Sequence, residues 1–156
     1  MSRSTLTFGQ YELTGGTPVV ETVCAFLLKT MRENPTKSNS INESIIKHIE
    51  HHLDVDYGFI SVDLPSLKEG ELNYLIDSIS SSISLIESWG NYIPRSVLTK
   101  MQQSGLFIKN AEFTGDMPTN YVLDYFKQLK KMLALPVGSE ISKEEETTTS
   151  YPIYKT

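Results

Sequence analysis

The stretch "TPVVETVCAFLLKTMRENP", Thr17 to Pro35, constrains the fold more than any other. Pro18 suits a first helical position, Thr17 an N-cap, and Pro35 a stop, so the spacing predicts one helix between them. Val20, Val23, Cys24, Leu27 and Met31 share a face, and Val19 and Phe26 widen it. A helix apolar over so much of its circumference has to be central and buried. Cys24, on that face, reads as a small core residue and not as a nucleophile.

The other elements must enclose it. "STLTFGQYELTGG" reads as a strand or extended arm over residues 1–16, with Leu6 and Phe8 on one side and Tyr11 and Leu13 on the other. A capping box of Ser40 and Glu43 opens a second helix whose stripe is Ile45, Ile46, Ile49 and Leu53. "YGFISVDL" is a β-type run, and Ser66 with Glu69 opens the longest helix, ending at Gly90. In that helix Leu72, Ile76, Ile79, Ile83 and Ile86 form an a/d stripe. The serines at 78, 80, 81, 82 and 84 either face water or let a neighbouring backbone come close.

"PRSVLTKMQQSG" predicts a short fourth helix, and "LFIKNAEF" a strand. "MPTNYVLDYFKQLKKMLA" is the last helix, with Val122, Tyr125, Phe126, Leu129, Met132 and Leu133 inward. The expected class is α+β, mainly α, with about five helices and two or three short strands. One globular domain covers 17–135, followed by an acidic low-complexity tail over 136–156. In that tail, "YPIY" could dock on this chain or a neighbour.

The segment "LIDSISSSISLIESWGNY", a striped helix ending at Trp89-Gly90 with another helix after it, resembles the central hairpin of the poxviral helical-bundle immune modulators. The resemblance covers residues 70–133. The N-terminal arm and the β-type segments depart from that family's pattern, so no function is carried over.

Every histidine lies in "KHIEHHLDVD". His48 and His52 stand four apart on one helix face, a spacing that lets two imidazoles share zinc, with Asp54 or Asp56 as a further ligand. His51 points nearly opposite, and Glu50 is out of phase for HExxH. The preferred assignment is a solvated flank, with no metal and no cofactor; a pH switch raised by Glu50, Asp54 and Asp56 is the other chemical option.

Phosphate-loop, dinucleotide and nucleophile-elbow motifs are absent from the sequence, so an enzyme is not expected. A lone cysteine excludes an internal disulfide, and the first apolar run is too short to span a bilayer. These features suit a cytoplasmic protein with no membrane partner. Residues 43–87 carry nine acidic groups against Lys47 and Lys68, within a chain of net charge −5. Such a surface repels nucleic acid and steers a basic protein partner. The expected function is therefore non-enzymatic protein binding of the immunity or inhibitor type. Its expected contacts are Glu50, Asp54, Asp56, Tyr57, Asp63, Glu69 and Glu71. The alternatives are a structural or accessory subunit of a viral or multi-protein assembly, and a metal-dependent enzyme using His48 and His52.

Overall fold

A computed structural model describes residues 3–33, 46–47, 49–50, 61–64, 67–103, 117–135 and 153–155. In chain order these form β1 (Arg3–Phe8), β2 (Tyr11–Gly16), α1 (Thr17–Arg32), β3 (Ser61–Leu64), α2 (Glu69–Glu87), β4 (Tyr92–Ile93), α3 (Arg95–Gln103), β5 (Met117–Pro118), α4 (Thr119–Leu133) and β6 (Ile153–Lys155). The class is α+β and mostly helical. Four helices have full bounds among the described residues, against about five expected. Of the helix expected from Ser40, only Ile46, Lys47, Ile49 and Glu50 are described; all four are helical and Ile49 is buried. The expected strand over 106–113 and the tail over 136–152 lie outside the described residues.

Strand content exceeds the two or three expected. Among the described residues six strands make a four-stranded sheet in the order β3-β1-β2-β6 and a separate β4–β5 pair. β1 runs antiparallel to β2 and parallel to β3, and β2 runs antiparallel to β6.

The expected facing of the first strands is corrected. Leu6 pairs with Leu13 and Phe8 with Tyr11, so all four lie on one face, and all are buried. Counting alternation straight through residues 9 and 10 fails because those two form the loop of a hairpin. Gly9, at φ 60°, supplies the left-handed conformation that a two-residue loop needs at its first position. The loop reverses the chain and restores the inward phase.

Helix α1 is buried on nearly every side, from Val20 through Leu28, as its composition requires. It packs on β1 and β2 and against both α2 and α4. Its N-cap is Gly16, one residue before the expected Thr17. Thr17 is the first helical residue, and its hydroxyl hydrogen-bonds that of Ser4 at 2.8 Å, which ties the helix start to β1.

The stripe of α2 is also corrected. Its buried residues are Tyr74, Leu75, Ser78, Ile79, Ser82 and Ile86, while Leu72, Ile76 and Ile83 are only partly buried. Two small hydroxyl residues, Ser78 and Ser82, are therefore buried where isoleucines were expected. Ser82 Oγ donates to the Phe26 carbonyl at 3.4 Å and meets Thr30 Oγ1 at 2.8 Å, so the α1 backbone comes close here. The serine cluster splits: 78 and 82 are buried, 81 and 84 exposed. The start of α2 also shifts. Lys68 is the N-cap, and its backbone N–H donates to Glu71 Oε1 at 3.2 Å; Ser66 lies outside the described residues.

Helix α4 buries the expected Val122, Tyr125, Phe126, Leu129, Met132 and Leu133. Tyr125 crosses to the sheet, its hydroxyl donating to the Leu13 carbonyl at 2.8 Å. Its ring leaves room only for glycine at 15, where a Cβ would stand 2.9 Å from Cε2 and 3.2 Å from Val20 Cγ2. Gly15→Ala is expected to destabilise the protein by about 1–3 kcal/mol, the usual range for overpacking. Shortening the ring with Tyr125→Leu should relieve part of that cost, so a double-mutant cycle by urea melts would show strong coupling. Additive effects would remove the contact as the cause.

Candidate functional site

The sequence directs attention first to the acidic segment. Glu50 is helical and ion-paired with Arg32, at the last turn of α1, so its charge is partly offset within the chain. Glu69 and Glu71 occupy the first turn of α2, where acids complement the helix dipole, and Glu71 is engaged at the N-cap. Asp63 sits in β3 opposite Thr7 of β1. Among the described residues of this set, only Glu69 and Glu71 fall in one turn together. Asp54, Asp56 and Tyr57 lie outside the described residues, as do His48, His51 and His52.

Helix α2 extends the acidic surface beyond the expected residues. In its 19 residues it has Glu69, Glu71, Asp77 and Glu87 and no lysine or arginine. Glu69, Asp77 and Glu87 are exposed along the side turned away from α1. Glu87 stands in the last turn, where a carboxylate opposes the negative end of the helix dipole. Asp77 and Glu87 belong to the same charge run as the residues singled out from sequence, but helical spacing had to be combined with the true buried stripe to expose them.

A second site has no counterpart in the sequence analysis. A cleft of about 640 Å³ is lined by Arg3, Thr14, Gly15, Gly16, Tyr121, Asp124, Lys127 and Lys131, among others. It lies where β1, β2 and the start of α1 meet the outer edge of α4. The cations come from opposite ends of the chain, so no local motif announces them.

Below that cleft the core holds a third group of titratable side chains. Glu21 is fully buried in α1, one turn from Cys24. Burial, and then the charge of Glu21, push the Cys24 thiol up to about 12. Burial also lifts Tyr125 well above the ordinary tyrosine range; Cys24 adds to this, and a hydrogen bond from the Leu6 backbone draws it partly back. A thiol held neutral in this way is a poor nucleophile and a poor metal ligand. Among the described residues no group of three or more His, Cys, Asp or Glu side chains converges as a metal site.

Comparison with protein-family models, curated proteins and solved structures yields no match to this chain. Among the described residues no helix is long and apolar enough to cross a membrane.

The thiol gives a direct test of the core. Between about pH 9 and about pH 12 the unfolded chain releases the Cys24 proton while the native state keeps it. Stability contributed by the neutral thiol is thus complete below pH 9 and lost as pH climbs through that window. Urea melts on both sides of pH 9 should show the loss, and Cys24→Ala should make it shallower, with Tyr125 supplying the remainder. Equal slopes in the two proteins would contradict the assignment.

Proposed function

We propose that this chain is a non-enzymatic protein-binding domain of the immunity or inhibitor type, acting in the cytoplasm on a basic protein partner. The supporting observation is the outer side of α2, with three exposed carboxylates and no cation along the helix. Such a face speeds encounter with a basic partner through long-range attraction and suppresses acidic competitors. Glu69 and Glu71 head the surface, Asp77 and Glu87 continue it along the helix, and Glu50, Asp54, Asp56, Tyr57 and Asp63 are its expected neighbours. A lone, buried thiol suits a reducing compartment.

Glu87 gives the reading a sharper edge. A carboxylate at a helix C-terminus costs about 0.3–1 kcal/mol, so its presence there needs a reason other than folding. Glu87→Gln should therefore raise the melting temperature slightly while weakening partner capture. A variant that is neither more stable nor a weaker binder would count against the proposal.

The broader test combines Asp54→Asn, Asp56→Asn, Glu69→Gln and Asp77→Asn. Capture of a basic partner from the native source, compared at low and high salt, should fall in this variant and lose most of its salt dependence. Unchanged capture would refute a role for the acidic surface.

A second reading, a subunit of a larger assembly, is favoured by β6. This strand comes from the far end of the chain and completes the sheet edge with three backbone pairs, Leu13 with Ile153 through Tyr11 with Lys155. A strand held by so short a ladder can be exchanged between copies. Light scattering of the full chain and of a form truncated after Leu135 separates the two readings: an oligomer lost on truncation supports assembly, and a monomer in both supports the inhibitor.

A further inference from the structure

We propose that the cleft beside α4 binds a phosphorylated small molecule carrying a sugar and a flat ring, of the nucleoside phosphate class. Its volume of about 640 Å³ falls inside the range of small-molecule sites, about 300–1,000 Å³. What singles it out is its charge. Arg3, Lys127 and Lys131 line it against one carboxylate, Asp124, in a chain whose net charge is −5. None of the three cations forms an ion pair with a described residue. Three like charges collected at one cleft against a single carboxylate leave an excess of positive charge that an anion would neutralise.

The register of the hairpin puts Arg3 directly opposite Gly16, the N-cap of α1. Gly16 supplies no side-chain cap, and the space where its Cβ would stand is empty to 4 Å. The partial positive charge of the helix start therefore adds to that of Arg3 at one end of the cleft. The cations carry the site; the helix end reinforces it.

Along α4 the lining residues follow a chemical order. Tyr121, Asp124, Lys127 and Lys131 are spaced by three, three and four residues, so they occupy one side of the helix over about 15 Å. Tyr121 is 60% exposed, one of two large hydrophobic side chains so exposed among the described residues, and offers a face for stacking. Asp124 is held by Gln128 Nε2 at 2.8 Å and presents its carboxylate to hydroxyl donors, as a carboxylate does toward a ribose. Lys127 and Lys131, with Arg3 across the cleft, meet the phosphate as charged donors. Ring, hydroxyls and phosphate thus each find a matching group in sequence along one helix. A peptide phosphate would leave Tyr121 and Asp124 without a role.

The test is isothermal calorimetry on the full chain with AMP, GMP, CMP and UMP as probes, alongside adenosine and inorganic phosphate. At least one mononucleotide should bind saturably, about tenfold or more tighter than adenosine or phosphate alone. Lys127→Gln with Lys131→Gln should weaken that binding by about tenfold or more. Both side chains are exposed, so circular dichroism of the variant should match that of the parent. Gly16→Asp supplies an independent arm: the new carboxylate caps α1 and raises the melting temperature of the free protein, yet repels the phosphate and weakens binding. Tyr121→Ala should reduce the preference for a mononucleotide over inorganic phosphate. No saturable binding of any mononucleotide up to about 1 mM would overturn the proposal. So would phosphate binding as tightly as every mononucleotide, or affinity unchanged in both charge variants.

Discussion

From Val20 to Leu28 helix α1 has no wet side, and this condition organises the molecule. A helix apolar on one stripe can lie on a surface, but one apolar all round must be enclosed by partners on every flank. The β1–β2 hairpin supplies one wall, α2 a second and α4 a third. Each meets α1 in its own way. The sheet offers Leu6, Phe8, Tyr11 and Leu13; α2 offers Tyr74 and Ser82, which hydrogen-bond the α1 backbone; α4 offers Phe126 and Tyr125. At the far end of α2, Trp89 lies tilted against Phe26 with ring centroids 5.7 Å apart.

This enclosure explains where sequence periodicity was informative. In α4 the apolar residues other than Tyr121 lie on or beside the side that meets the core, so spacing alone identified them. In α2 it did not, because the closest approach between helices is made by serines, which a hydropathy pattern assigns to water. The isoleucines at 76 and 83 flank that contact, and their regular spacing mimics a central stripe. The hairpin misled for another reason: a two-residue loop breaks the alternation on which strand facing is judged, and only the pairing of Phe8 with Tyr11 restores it. The cleft was illegible because Arg3 and Lys127 are joined by topology and not by any local pattern.

The two charged surfaces have opposite sign and separate supports. The acidic side of α2 rests on a helix whose inner face packs into the core, and Glu71 of its first turn is engaged at the cap. The basic cleft rests on the seam between sheet and α4, where the Tyr125 ring occupies the space a side chain at residue 15 would need. Backbone and ring are fixed there, and the side chains around them are presented from a rigid base.

The sheet order has a consequence for how such a chain is made. β2 is complete once the first sixteen residues exist, but its outer neighbour β6 lies 140 residues later, where Ile153 meets Leu13. During synthesis that edge therefore lacks its β6 partner until Ile153 has emerged. β1, by contrast, gains β3 far sooner. The nascent chain thus passes through a long interval with one side of its sheet closed and the other open to any extended segment nearby.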